Sequence, residues 1–148
     1  MWDQMLLGIQ TAFTLQNMFF AALGCFIGTI IGMLPGLGPM SVVAIMIPVS
    51  IQIGDPSTTL ILLAGVYYGA IFGGSTSSIL INAPGEAAVV ATSFDGYPMA
   101  RKGQAGKALT IAAISSFSGG TIGAILLMDS LQSWRVSRSF SGPQNILR

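Results

Sequence analysis

Three long stretches of this chain carry no charge. No Asp, Glu, Lys or Arg lies between Asp3 and Asp55, between Asp55 and Glu86, or between Lys107 and Asp129. A helix needs about 20 apolar residues to cross a hydrocarbon core about 30 Å thick, and each gap has room for at least one crossing. Only 7% of the residues are charged and 52% are hydrophobic, whereas a soluble domain carries roughly 25% charged residues. Five acids and six bases cannot coat a soluble protein of 148 residues. The expected fold class is all-α: a polytopic transmembrane helical protein whose helices are broken, some of them into re-entrant segments, by glycine and proline.

The same inventory excludes several functions. Net charge is +1, with no basic cluster interleaved with aromatics, so nucleic-acid binding has no support. Histidine is absent, which removes the commonest general base and metal ligand. No paired carboxylates, metal-ligand cluster, nucleophile elbow or P-loop is present, so the chain does not read as an enzyme. The single Cys25 cannot form an intrachain disulfide. The N-terminus lacks a basic n-region and reads as mature sequence.

Trp2, Met5, Leu6, Ile9 and Phe13 recur at helical spacing and predict a short interfacial helix. Thr14 and Asn17 are candidate caps for the first long apolar helix, about Met18 to Leu34. Gly24, Gly28 and Gly32 repeat every four residues on it. Gly65, Gly69 and Gly73 do so in a third helix, about Thr58 to Phe72, and Gly119 and Gly123 in a fourth, about Ala108 to Met128. In lipid such stripes let backbones approach closely, so they mark packing seams. A second helix, about Met40 to Ile53, is short for a full crossing and is interrupted by Pro48. Ser57 is placed to cap the third helix. Asp95-Gly96-Tyr97-Pro98 reads as a turn. Residues 129–148 are serine-rich and read as a polar tail, exposed or disordered, against a membrane part over 1–128. Arg101, Lys102 and Lys107 share one loop, which the positive-inside rule puts in the cytoplasm. Arg135 and Arg138 argue the opposite way.

Three segments are candidates for chemistry. Pro35-Gly36-Leu37-Gly38-Pro39 breaks the first helix. In lipid the unpaired backbone there would cost several kcal/mol per group unless it lined a polar cleft. Half-helix N-termini in such clefts offer N–H groups to anions; the alternative is a tight turn at the membrane surface. Gly73 and Gly74 with Ser75, Thr76, Ser77 and Ser78 form a second expected break. Its hydroxyls either donate to a carboxylate or bond their own i−4 carbonyls. Asn82 is either a ligand partner at a cavity edge or a helix C-cap before Pro84. Glu86 and Asp95 are candidate coupling acids or solvated loop acids.

These motifs bring a family into view. The run Gly28 to Pro39 resembles the opening signature of the large membrane subunit of the tripartite tricarboxylate transporter family. The resemblance continues through Ala64 to Ser75, Asn82 to Glu86 and Asp95 to Ala108, in that family's order and spacing, and extends over about Leu6 to Leu127. It implies a bacterial secondary transporter of the inner membrane that takes up citrate-like carboxylates. A small four-helix membrane subunit and a periplasmic solute-binding protein would be partners, with an Na+ or H+ gradient as driving force and no other cofactor. It also implies that Pro35, Gly36, Leu37, Gly38, Pro39, Gly73, Gly74, Ser75 and Thr76 line the central site; Asn82 joins them from its chemistry. The family's subunit is several times longer and repeats its fold, so this chain reads as its first part, from a truncated or fragmentary gene. The competing reading is a small membrane scaffold whose glycine seams serve only assembly.

Overall fold

The computed structural model describes residues 2–140. The described residues are helical throughout apart from short connections. The helices are α1 (Trp2–Ala12), α2 (Leu15–Gly32), α3 (Pro39–Ile51) and α4 (Pro56–Ile81), then, after one 3₁₀ turn at Ala87–Val89, α5 (Val90–Met99). A wide turn, Ala100–Gln104, leads to α6 (Ala105–Phe140). Among the described residues, three helical stretches are long and apolar enough to cross a membrane: Leu15–Gly32, Pro56–Ile81 and Ala87–Met128. The chain divides into two compact units, Met1–Ala112 and Ala113–Arg148.

The surface of the first unit is inverted relative to a soluble protein. Leu15, Phe19, Phe26, Ile30, Ile45, Leu60 and Phe94 are exposed, while Asn17, Ser50, Thr58, Ser75, Thr76, Ser77, Ser78 and Ser93 are buried. Exposing large apolar side chains while burying hydroxyls is favourable only where the surrounding solvent is hydrocarbon. A small core of Val42, Met46, Leu62, Val66 and Ala70 joins α3 and α4, and Phe20, Leu23, Ile27 and Ile31 of α2 pack against it.

The glycine stripes are the seam between α2 and α4. A methyl group on Gly24, Gly28 or Gly32 would fall on the carbonyl oxygens of Leu62, Val66 and Ala70 respectively. A methyl on Gly65, Gly69 or Gly73 would fall on those of Ala21, Cys25 and Thr29. Each of these latter pairs is 44 residues apart, so the two helices run parallel in fixed register. Each glycine therefore aims a Cα–H at a carbonyl across the seam, a contact worth about 0.5–1 kcal/mol. No side chain larger than hydrogen fits. The stripe at Gly119 and Gly123 differs: a methyl there meets nothing within 4 Å.

Several boundaries move. Thr14 caps α2 as expected, accepting from the Asn17 N–H at 3.4 Å, and the helix starts at Leu15 and ends at Gly32. Pro39 opens α3 at its first position, where a missing N–H costs nothing. At 13 residues α3 is about 20 Å long, and Pro48 lies inside it. Asp55, not Ser57, caps α4, because its carboxylate accepts from the Thr58 N–H at 2.8 Å. The expected break at Gly73–Ser78 is absent. α4 continues unbroken for 26 residues, about 39 Å, because Gly73 is held against Thr29 and Gly32 by the seam, and tertiary packing overrides glycine's weak helix propensity. The expected turn at Asp95–Pro98 lies inside α5, which packs on α4 with Gly96 against Ile79. The chain instead breaks at Gly103, at φ 77°. The backbone is helical through Phe140, where a polar tail was expected from Asp129; residues 141–148 of that tail lie outside the described residues.

The seam yields the first prediction. Gly28→Val and Gly69→Val are each expected to lower stability by about 3 kcal/mol, since the clash is with backbone that cannot turn aside. Gly8→Val, in open space, should leave it unchanged. Detergent unfolding titrations of the three variants measure this directly.

Candidate functional site

The register of the seam decides what meets at its end. Gly73 reaches the level of Thr29–Met33, so the last turns of α4 run on past the end of α2 beside the Met33–Gly38 connection. That connection is held by short turns: Leu34 N–H donates to Ile31 O at 3.0 Å and Leu37 N–H to Leu34 O at 3.2 Å. Gly36 sits at φ +88°, a conformation that excludes ordinary side chains. Gly38 caps α3 with no side chain, and its carbonyl accepts from Ser41 and Val42. The N–H groups of Gly38 and Met40 stand ahead of these, among the donors that a helix start leaves without intrahelical partners.

The third candidate segment folds back onto the first. Asn82 ends α4 in the left-handed region, φ 55° and ψ 37°, so the C-cap reading describes its backbone. The chain then reverses. A methyl on Gly85 would lie 3.6 Å from Leu37 O and 3.8 Å from Gly32 O, and one on Gly38 would lie 4.0 Å from Glu86 Oε2. The Pro35–Pro39 and Asn82–Glu86 interruptions are therefore neighbours, although some 45 residues separate them in sequence. Pro35, Gly36 and Asn82 are exposed, Leu37, Gly38, Gly85 and Glu86 half-buried, and Pro39 buried.

Between these interruptions and α5, residues Gly73 to Ile79 of α4 are buried on every side. Their hydroxyls are spoken for. Ser75 donates to Ile71 O at 3.1 Å, Thr76 to Phe72 O at 2.9 Å and Ser78 to Gly74 O at 2.7 Å. Only Ser77 reaches outside its own helix, contacting Gly74 O at 3.0 Å and Ala83 O at 3.1 Å, and the Ala83 N–H returns to Ser77 O at 3.5 Å. The Gly74 amide, expected at a break, lies within a continuous helix. The arrangement thus joins all three candidate segments in one region, with free main-chain donors on the Gly36–Met40 side and hydroxyl oxygens, still able to accept, on the other. Ser77 was missed as the residue that ties the returning loop to α4. Its position between two predicted breaks hid a role that needs the helix to be continuous.

These features define an all-α membrane protein with a parallel glycine seam and an interrupted helix at its end. Comparison with known proteins makes the assignment narrower. The family model described as "Tripartite tricarboxylate transporter TctA family" matches residues 18–140. An uncharacterised 52.8 kDa protein in the TAR-I ttuC′ 3′ region of Agrobacterium vitis is 48% identical over 121 residues, 82% of this chain and 24% of the relative. No solved structure matches. The chain belongs to the tripartite tricarboxylate transporter TctA family, and it spans about a quarter of the length of that curated relative.

The loop attachment can be tested by itself. Ser77→Ala leaves the Ala83 carbonyl without its side-chain donor and is expected to cost about 1 kcal/mol. Amide exchange at Gly85 and Glu86 should speed up about fivefold, while the α2–α4 seam residues keep their protection.

Proposed function

We infer that this chain works within the large membrane subunit of a secondary transporter that takes up tricarboxylates or related carboxylates. The observation that carries this reading is the meeting of two glycine-proline interruptions beside the start of α3. Non-helical backbone at such a place is tolerated where it faces a polar cleft, and helix-opening N–H groups there favour an anion. The N–H groups of Gly36, Gly38 and Met40 hold substrate carboxylate. Pro35, Leu37 and Pro39 fix the hinge that presents them. Gly73 and Gly74 let α4 approach, and Ser75, Thr76 and Asn82 lie on the opposite side of the cleft. The hydroxyls of Ser75 and Thr76 must turn from their i−4 carbonyls to donate to substrate. Glu86 stands beside the same amides and is the acid best placed to carry a coupling H+ or Na+.

In this reading the subunit is multi-pass in the bacterial inner membrane. It works with a small membrane subunit and a periplasmic solute-binding protein, and the exposed Arg101, Lys102 and Lys107 lie on the cytoplasmic side. The remaining length of the subunit supplies the other face of the transport path.

The test uses a full-length subunit of this family, assembled with its partners in proteoliposomes. Leucine at the position of Ser75 or of Asn82 is expected to abolish carboxylate uptake while leaving membrane insertion normal. Uptake at the unmodified rate would remove the site assignment.

A further inference from the structure

At the opposite end of the seam a second polar cluster is buried, and it is one proton short. Asn17 and Thr58 are 4% and 2% exposed, and Asp55 beside them is open to solvent. The Thr58 hydroxyl lies 2.7 Å from Asn17 Oδ1 and 2.6 Å from Asp55 Oδ2. Both are acceptors while Asp55 is ionised, and a hydroxyl has a single proton to give. The Asn17 amide cannot make up the difference. Its Nδ2 donates to Thr11 O at 2.7 Å, and turning the group over would set oxygen against oxygen there. The Thr58 N–H is already committed to Asp55 Oδ2 at 2.8 Å.

We propose that Asp55, Thr58 and Asn17 form a proton-binding site in which a proton taken from solvent onto Asp55 completes the chain Asp55–Thr58–Asn17 and fastens the foot of α4 to α2. With Asp55 ionised, the Thr58 hydroxyl shares its one proton between Asp55 Oδ2 and Asn17 Oδ1, and with the Thr58 N–H it holds the carboxyl below the usual carboxylate range. With Asp55 protonated, its O–H donates to Thr58 Oγ1, the Thr58 O–H turns wholly to Asn17 Oδ1, and each of the two contacts has a proton of its own. One proton enters and none leaves, so the step needs no other reactant. No other charged side chain takes part among those described: α2 contributes Cys25, α3 no titratable group, and α4 only Tyr67 and Tyr68, about two turns or more away. The side chain of Asp3 in α1 lies outside those described. The site stands apart from the carboxylate reading and does not depend on it.

The experiment is a pH titration of the 148-residue chain in lipid nanodiscs, following the Asp55 carboxyl carbon and the Asn17 side-chain amide by NMR. Asp55→Asn identifies the carboxyl signal. The Asn17 amide is expected to shift with the same midpoint as Asp55, and Thr58→Val should make it insensitive to that titration. Asn17→Ala removes the competitor for the hydroxyl, so the carboxylate gains a donor and binds its proton about tenfold more weakly, a midpoint lower by about one pH unit. Asp3→Asn should change neither signal. Asn17 resonances that stay flat through the Asp55 titration, measured on the unsubstituted protein, would overturn the proposal. So would Asn17 shifts produced at fixed pH by exchanging K+ for Na+, which would make the ligand a metal cation.

Discussion

The close approach of α2 and α4 is the constraint on which the rest of this structure depends. In hydrocarbon there is no hydrophobic force to hold two apolar helices together, so attraction must come from dispersion and weak polar contacts at short range. Six glycines supply that range, three from each helix, every one of them facing a carbonyl of its partner. The pattern also sets direction. Because Ala21, Cys25 and Thr29 meet Gly65, Gly69 and Gly73 in order, the helices are parallel, and a parallel pair needs a returning element between them. α3 is that element. At about 20 Å it is long enough to come back over α2 and short enough to leave the hinge at Pro35–Pro39 within the unit.

The length mismatch between α2 and α4 then brings the three candidate segments together. α4 outlasts α2 by about two turns, and those turns carry Gly74, Ser75, Thr76, Ser77 and Ser78. Facing lipid, five such residues would be unfavourable; here the returning Asn82–Glu86 loop, the Ala87–Val89 turn and α5 enclose them. The hydroxyls bond within the helix when nothing else is present, which keeps a polar lining stable in an apolar surrounding. Polar groups on α4 and free amides at the start of α3 are thus two sides of one region, positioned by the same seam.

Much of this was readable from residue types alone, and the failures have a common cause. The charge-free runs announced membrane helices, and the four-residue glycine repeats announced a seam, because both are properties of a single helix viewed along its length. Thr14, Pro39 and the hinge at Gly36 followed from local backbone chemistry. What could not be read was any feature fixed by a second helix. Gly73-Gly74 read as a break because glycine weakens a helix in isolation, yet these residues are helical because α2 requires hydrogen at position 73. The turn expected at Asp95–Pro98 became helix because Gly96 admits Ile79 of α4. Ser57 lost the capping role to Asp55, whose carboxylate accepts from both the N–H and the hydroxyl of Thr58. Each error assigned to the local sequence a conformation that a neighbour decides.

The two ends of the seam are built on opposite principles, and this bears on how the helix pair can work. At the hinge end, backbone breaks and intrahelical hydroxyl bonds leave donors and acceptors in reserve. At the Asp55 end, a buried amide and a buried hydroxyl have one contact more than their protons can serve. Between them lies a glycine interface flanked by Phe20, Leu23, Ile27 and Ile31 of α2, which pack against the core and oppose sliding or tilting of one helix against the other. Cores interdigitated by large side chains resist such motion because every displacement opens voids. The seam adds to that resistance, since each glycine faces one particular carbonyl and a shift along the helix would bring backbone against side chains instead. The seam therefore fixes the two polar ends relative to each other, and a change in pairing at one end acts locally.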